Sequence, residues 1–216
     1  GLHIMRAESP GPVVGKLVPR VRDTAMILYG IYIVMTVVLI LLLLLGGMPL
    51  YDSAIHAFGT AGTGGFSIWA DSIAHYDSAY IDVVLSIGMI LFGVNFNLYY
   101  LVLLGKVKTA LKSEELRWYL GIIGAATLLT AWNILPQIGN VFQSLRYALF
   151  QVSSIITTTG YATADFHLWP EFSRVTLLVL MLLGACAGST GGGIKTSRLV
   201  IMLKSARREI GRMLHP

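Results

Sequence analysis

The predicted fold is decided by two short stretches, Ala61-Gly-Thr-Gly-Gly-Phe-Ser67 and Ile156-Thr-Thr-Thr-Gly-Tyr-Ala162. They lie 95 positions apart when Gly65 is aligned with Gly160, and long apolar stretches flank each of them. A strand of this kind presents backbone carbonyl oxygens that can replace the water around a cation. The arrangement therefore predicts an ion pore built from repeats. Each repeat has a membrane helix, a short half-helix, a Thr/Gly filter segment and a second membrane helix.

The composition indicates that the surroundings of this chain are a membrane. Hydrophobic residues make up 55% of the 216 residues and charged residues only 12%, whereas a soluble domain has about 25% charged residues. The stretch 24–47 has no charged side chain, and it is longer than the roughly 20 residues that cross a hydrocarbon core. Cys186 is the single cysteine, so disulfides within these 216 residues and thiolate metal sites are excluded.

The basic residues are grouped, which predicts the orientation in the membrane. Three groups hold most of them: Arg6, Lys16, Arg20 and Arg22; Lys106, Lys108, Lys112 and Arg117; and Lys195, Arg198, Lys204, Arg207, Arg208 and Arg212. Because positive residues favour the cytoplasmic side, both ends and the central linker are predicted to be cytoplasmic, with residues 48–80 and 136–173 facing outward. The net charge of +5 then indicates contact with anionic membrane lipids rather than binding of nucleic acid.

The chain is predicted to divide into two similar units with basic ends. The five stretches are a cytoplasmic N-terminal segment 1–23, a first unit 24–105, a cytoplasmic linker 106–117, a second unit 118–203 and a cytoplasmic C-terminal segment 204–216. In the first unit we expect spans at 24–47 and 79–105 around a half-helix at 51–60. In the second we expect spans at 118–135 and 169–203 around a half-helix at 140–155.

The last span is too long to be one ordinary helix. At about 1.5 Å per residue, stretch 169–203 would extend some 52 Å, against a hydrocarbon core of about 30 Å. Four glycines between positions 188 and 193 each cost roughly 1 kcal/mol inside a helix, so the break is predicted there. The peptide groups that the break frees must be buried in protein or line a wet cavity.

The chemistry of the two Thr/Gly stretches favours an alkali cation. The C-terminal end of a preceding half-helix carries about half a negative charge and would point at them. Neither stretch contains an acidic side chain, so carbonyl and hydroxyl oxygens are the predicted ligands. Gly65 and Gly160 can adopt the positive φ that turns a carbonyl toward an axis.

Three motifs in this order resemble the Trk-type bacterial potassium uptake proteins of the Trk/Ktr/HKT superfamily. They are Phe58-Gly-Thr-Ala-Gly-Thr-Gly-Gly-Phe-Ser67, Thr157-Thr-Thr-Gly-Tyr-Ala-Thr-Ala-Asp165 and Ala187-Gly-Ser-Thr-Gly-Gly-Gly-Ile-Lys195. The family has four span–filter–span units in one polypeptide, and this chain resembles the second and third. Either the chain is an internal piece of a longer protein, which we favour, or it is a short relative that dimerises to complete a ring of four.

The resemblance implies an all-α membrane protein with two span–re-entrant pore loop–span repeats, part of a four-unit potassium-channel-like pore. Its first filter segment falls on Gly62, Thr63, Gly64 and Gly65, and its second on Thr157, Thr158, Thr159 and Gly160. The family's intramembrane gate loop falls on Gly184, Gly188, Ser189, Thr190, Gly191, Gly192, Gly193 and Lys195. K⁺ is then the transported ion, bound through the filter residues only, with no further cofactor and no catalytic residues.

The partners that the resemblance implies are the remaining two pore units of the same polypeptide, a second copy in a homodimer, and a cytosolic ring of nucleotide-binding regulatory subunits. The implied location is the bacterial inner membrane. A secondary transporter coupled to Na⁺ or H⁺ is the alternative function, and a non-conducting structural subunit is a third.

Three further features leave more than one interpretation open or predict a structural role. The residues at 82, 86, 93 and 97 share one face of a predicted helix, and either pore lining or close helix packing accounts for Asp82, Ser86, Gly93 and Asn97. We favour pore lining, because stretch 93–97 aligns with the glycine-rich stretch 188–192 at the shift of 95. Lys195 either faces the permeation path or extends to the cytoplasmic interface. His56 is predicted to be a buried packing residue of the half-helix.

Overall fold

The structure is a computed structural model that describes residues 21–214. The predicted N-terminal segment 1–23 lies outside the described residues except for its last three positions, and residues 215 and 216 also lie outside them. Nine α-helices and two short 3-10 turns, Ser72–Tyr76 and Phe166–Leu168, form the described part. The helices are α1 (Val21–Leu45), α2 (Leu50–Ala61), α3 (Ala79–Phe92), α4 (Phe96–Leu103), α5 (Val107–Leu111), α6 (Glu114–Ile138), α7 (Val141–Ile156), α8 (Glu171–Leu182) and α9 (Thr196–Leu214).

Two of these helices are long and apolar enough to cross a membrane unbroken. They are α1, over the 24 residues Arg22–Leu45, and α6, over 25 residues. Both exceed the roughly 20 residues that a hydrocarbon core requires. Helices α3 and α4 together also meet this test, but as a pair that is bent by 91°.

The predicted second span, 79–105, was expected to be one helix, and the structure corrects this. Helix α3 ends at Phe92, and α4 begins at Phe96. The Asn95 side chain accepts a hydrogen bond from the Asn97 backbone N–H at 3.0 Å, which starts the new helix. The peptide groups that the bend frees are paired with a loop of the second unit, because the Gly93 carbonyl accepts from the backbone N–H of Cys186 at 3.0 Å.

The two half-helices have different starts but equivalent ends. Helix α2 begins after Pro49, which fits the preference for proline near a helix start. Helix α7 begins after Asn140, whose side chain accepts from the backbone N–H groups of the second and third residues that follow it. Helix α2 ends at Ala61 and α7 at Ile156, so their last residues are related by the same shift of 95 that relates the two filter segments.

The apolar core forms two clusters, one around each unit, and the second unit contributes to both. Phe150 and Tyr161 of the second unit are fully buried within the cluster of the first unit. Helix α3 of the first unit packs on half-helix α7 of the second. The two units are therefore joined through the half-helix and filter region rather than only through the linker.

Two helices run across predicted boundaries between stretches of the chain. Helix α9 continues without a break from Thr196 to Leu214, so the predicted span end at 203 lies within it. The predicted linker 106–117 contains the short helix α5 and the first turn of α6. The Lys204 ammonium lies 2.5 Å from the Glu114 carboxylate, which links α9 to the start of α6.

Candidate ion filter and gate loop

The backbone hydrogen bonds just after the two half-helices match each other pair by pair. In each unit the three residues that follow the half-helix donate their N–H groups back to carbonyls of its last turn. The bonds are Gly62 to Phe58, Thr63 to Thr60 and Gly64 to Gly59 in the first unit, and Thr157 to Ser153, Thr158 to Ile155 and Thr159 to Ser154 in the second. Every donor and every acceptor is related by the shift of 95, so the two segments are structural repeats.

The left-handed residues also match between the two filter segments. The φ angle is 51° at Thr63 and 66° at Gly65, and it is 59° at Thr158 and 93° at Gly160. Glycine adopts this conformation without steric cost, whereas a β-branched residue does so rarely. The sequence predicted the two glycines but contained no signal for the threonines. Backbone strain at equivalent positions of both repeats is typical of a functional site.

The two filter segments lie side by side. A Cβ added to Gly65 would overlap the carbonyl oxygen of Thr159 in the second segment. A Cβ added to the equivalent Gly160 would meet nothing within 4 Å. The first segment is thus covered on this face by the second unit, while the same face of the second segment is open.

The aromatic residue that follows each filter segment shows the same asymmetry. Tyr161 is fully buried, and its hydroxyl donates to the His56 carbonyl at 3.1 Å. It lies so close to the first half-helix that a Cβ on Gly59 would overlap its hydroxyl. Phe66, its equivalent in the first unit, is 80% exposed. Each described unit therefore has one face that no described residue of the other unit covers. The face at Phe66 is equivalent to the face of the second unit that contacts the first. The face at Gly160 is equivalent to the face of the first unit that the second covers.

The half-helix residue His56 is buried, as predicted. Its Nδ1 donates to the Asp52 carbonyl at 2.8 Å, and its Nε2 lies 3.0 Å from the Ser67 hydroxyl. The ring also packs edge-to-face on Tyr76. His56 thus ties the half-helix to the residue just beyond the first filter segment.

The predicted break in the last span is present. Helix α8 ends at Leu182 and α9 begins at Thr196, so the predicted gate loop, residues 184–195, lies between them. The Gly184 N–H donates to the Ile194 carbonyl at 2.7 Å, which closes the loop at its base. A side chain on Gly184 would overlap the Gly192 carbonyl, so glycine is required for the loop to fold back on itself.

The gate loop is hydrogen-bonded to both filter segments. The Thr63 hydroxyl donates to the Thr190 carbonyl at 3.1 Å. The Gly192 N–H donates to the Thr158 hydroxyl at 2.8 Å. The two filter residues in these bonds are the two left-handed threonines. The structure thus brings together the predicted filter residues and the predicted gate residues, at the ends of the filter segments nearest the half-helices.

Lys195 lies at the end of this loop, and its position bears on the two interpretations left open. Its ammonium donates to the carbonyl of Gly191, within the loop. The positive charge therefore lies against the backbone of the loop. It does not extend away from the loop toward the cytoplasmic interface.

Sequence reasoning missed a carboxylate that holds the loop at both ends. The Glu115 Oε1 atom accepts from the backbone N–H of Ala187 at 2.6 Å and from that of Ser197 at 3.2 Å. The only signal in the sequence is the position of Glu115 in the first turn of a helix, where a negative charge interacts favourably with the helix dipole. Its partners on the loop and on α9 follow from the tertiary structure.

The four polar or small residues predicted to share one helix face do not do so, because the bend after α3 puts Asn97 on another helix. Asp82 and Ser86 are buried, and the Ser86 hydroxyl donates to the Asp82 carbonyl at 2.7 Å. The Asp82 carboxylate lies 3.4 Å from the Arg146 Nε on α7. These contacts support helix packing rather than pore lining. The sequence contained a signal for this pair, because Asp82 and Arg146 both lie in apolar segments and membrane proteins pair such charges.

Replacing Asp82 is expected to weaken the contact between the two units. Asp82→Asn removes the charge that faces Arg146 and should lower the free energy of unfolding by about 1–2 kcal/mol. The measurement is denaturant unfolding in detergent, with Asp71→Asn as the control, because Asp71 is exposed. Equal unfolding free energies for parent and Asp82→Asn would contradict a stabilising role for the pair.

Two half-helices that end in matched Thr/Gly segments, with a broken membrane helix folded against both, define a membrane protein of the pore-loop class. The chain belongs to the TrkH family of cation transport proteins, whose family model matches residues 1–216.

Individual relatives agree with this membership. The chain is 36% identical over 222 residues to the Trk system potassium uptake protein TrkH of Salmonella typhimurium, with 100% of this chain and 46% of that protein covered. It is 34% identical over 220 residues to the Trk system potassium uptake protein TrkG of Escherichia coli, with 100% and 45% covered. The crystal structure of the potassium transporter TrkH from Vibrio parahaemolyticus superposes with a TM-score of 0.89 at 31% identity, covering 100% of this chain and 46% of that chain. The chain thus spans about half the length of the relatives it matches.

Proposed function

We propose that this chain forms half of a potassium uptake pore in the inner membrane of a bacterium. The observation that carries the proposal is the pair of filter segments with one backbone conformation, both hydrogen-bonded to one loop. Uncharged carbonyl and hydroxyl oxygens suit K⁺, because they replace its hydration shell. The names of the relatives, which are potassium uptake proteins, support the choice of ion.

The other half of the pore consists of two more units of the same kind in the same polypeptide. The free faces at Phe66 and Gly160 support this, because each exposes one side of a contact that is already made once between the two units. Two further units would cover both faces and close a ring of four. The coverage of about half of each relative agrees with this arrangement.

The orientation of the pore in the membrane follows from the distribution of positive charge. The linker and both ends are cytoplasmic under the positive-inside rule, so an ion enters from outside, passes the filter segments and then meets the gate loop. The loop continues directly into α9, whose basic residues are exposed. A cytosolic ring of nucleotide-binding subunits, a second copy of the protein and anionic lipids are the partners that would act on this side.

The function is tested with the full-length product of the reading frame that encodes this chain. Liposomes that contain it are expected to take up K⁺ down its own gradient and to prefer K⁺ over Na⁺. Residues 1–216 alone, as monomers, are expected to carry no K⁺, because two filter segments leave half of the ion's coordination open and polar backbone exposed to lipid. Uptake that requires a Na⁺ or H⁺ gradient would instead identify a coupled transporter. Flux through verified monomers of residues 1–216 would contradict the four-unit pore.

A further inference from the structure

The outer end of the second filter segment is held by the first unit. Ala162 lies two residues beyond the last glycine of that segment, and its carbonyl accepts from the N–H groups of Ile73 and Ala74 at 3.1 and 3.2 Å. Its own N–H donates to the hydroxyl of Ser72 at 3.3 Å. Both backbone groups of Ala162 are therefore bound by the turn Ser72–Tyr76, which belongs to the other unit.

The turn is built to hold this position. Ser72 has a φ of 57°, which a residue other than glycine adopts uncommonly and which directs the next two N–H groups at one acceptor. Ile73 is fully buried and fixes the turn in the core. At the other end, the Tyr76 hydroxyl donates to the Asp52 carboxylate at 2.6 Å. Burial and this hydrogen bond raise the pKa of Tyr76 to about 12, so the phenol stays protonated at neutral pH.

Within the described residues, hydrogen bonds rather than packing hold the second filter segment. No described residue packs on Gly160 on its side-chain face, because a Cβ there would meet nothing within 4 Å. Hydrogen bonds on either side fix it instead. On the inner side, the Ser154 hydroxyl accepts from the Gly160 N–H at 3.1 Å and donates to the Tyr161 carbonyl at 2.6 Å. On the outer side, the bonds to Ala162 are the next restraint along the chain.

We propose that Ser72 is a positioning residue for ion selectivity, which acts across the unit boundary by holding Ala162 and thereby the orientation of the Gly160 carbonyl. The proposal rests on the proposed function, because it assigns the selectivity of one filter segment to a turn of the neighbouring unit. The hydroxyl supplies the acceptor for the Ala162 N–H. The left-handed backbone of Ser72 aims the two N–H donors that follow it.

Three substitutions at Ser72 separate the hydroxyl from the backbone conformation. Ser72→Ala removes the acceptor and keeps the backbone strain, whereas Ser72→Gly removes the acceptor and relieves the strain. Ser72→Asn retains a side-chain acceptor and tolerates positive φ. The matched control is Ser78→Ala. Ser78 lies in the same connection, and its hydroxyl also accepts from a backbone N–H, that of Ile81, within its own unit.

The full-length product of the reading frame is reconstituted in liposomes, and the K⁺/Na⁺ permeability ratio is measured. We expect Ser72→Ala and Ser72→Gly to lower the ratio by about two- to tenfold, the range that corresponds to one neutral hydrogen bond. Ser72→Asn and Ser78→Ala are expected to keep the ratio of the parent. Amide hydrogen exchange at Ala162 should become faster in Ser72→Ala and Ser72→Gly, and remain unchanged in Ser78→Ala.

Two results would overturn the proposal. One is a parental ratio in both Ser72→Ala and Ser72→Gly, and the other is an equal loss of selectivity in Ser78→Ala, which would indicate a general disturbance of the connection. A parent that is not selective for K⁺ would refute the proposed function itself. In that case the hydrogen bond from Ala162 to Ser72 can still be tested separately. An unchanged rate of amide hydrogen exchange at Ala162 in Ser72→Ala would refute it.

Discussion

Deletion of residues 191–193 is expected to raise K⁺ flux through the resting full-length protein by roughly ten- to a thousandfold, with unchanged selectivity. The deletion removes the Gly192 N–H that donates to the Thr158 hydroxyl, and it shortens a loop that lies against both filter segments. A loop that closes a pore in the resting state leaves the open state at about 0.1–10% of the population. Removal of the closing element should therefore raise flux by the inverse of that fraction.

The deletion is compared with the parent in liposomes that hold equal amounts of folded protein, with no cytosolic partner present. Selectivity serves as the internal control, because the deletion leaves every residue of the two filter segments in the chain. A deleted protein that conducts no better than its parent would contradict the gate and leave residues 188–193 as a hinge. A changed K⁺/Na⁺ ratio would indicate that the loop also shapes the filter.

Gly65→Ser and Gly160→Ser are both expected to reduce the preference for K⁺ over Na⁺ strongly. The new Cβ at Gly65 would overlap the Thr159 carbonyl oxygen, so the second filter segment must move. Gly65 also has a positive φ of 66°. Strain of about 1–2 kcal/mol from the left-handed conformation adds to about 1–3 kcal/mol for overpacking. Gly160→Ser incurs the same strain, because Gly160 has a φ of 93°. In the full-length protein the further unit that we propose against this face adds the overlap.

The measurement is the bi-ionic reversal potential of the full-length product of the reading frame. Gly105→Ser is the matched control, since Gly105 also has a positive φ and free space but lies at the end of α4, away from the filter. It separates backbone strain as such from strain at the filter. Equal selectivity in Gly65→Ser and the parent would remove the first segment from the filter. A much larger loss at Gly65 than at Gly160 would indicate that no further unit covers Gly160.

Several features of the fold could be predicted from local sequence alone. Uncharged stretches of 24 residues (24–47) and 18 residues (118–135) predicted α1 and α6, because the thickness of the hydrocarbon core sets the length of a spanning helix. Both helices are present, and α6 is longer than predicted, with 25 residues. The cluster of glycines predicted the break between α8 and α9, because glycine is unfavourable within a helix. The shift of 95 predicted that the two half-helices are equivalent, and their ends at Ala61 and Ile156 agree with it.

Features that depend on a distant partner were predicted wrongly or not at all. The stretch 79–105 reads as one span, because Gly93 alone does not oblige a helix to bend. The bend is stable because a loop about 90 residues further along the chain forms hydrogen bonds with the peptide groups that the bend leaves unpaired. One example is the bond from the Phe96 N–H to the Gly188 carbonyl. The Asp82–Arg146 contact likewise required the packing of α3 on α7.

The sequence by itself thus determined the membrane class, the two repeats and the position in the chain of the predicted filter and gate segments, because these depend on hydrophobic length, local glycine content and spacing. Only the tertiary structure decided how those residues are held. Three sets of contacts all join residues far apart in the chain: the hydrogen bonds of Thr63 and Thr158 to the gate loop, the Glu115 carboxylate between the loop and α9, and the Ser72 turn on Ala162. Such contacts are selected by the need to pair every buried polar backbone group, and local sequence does not specify which distant group supplies the partner.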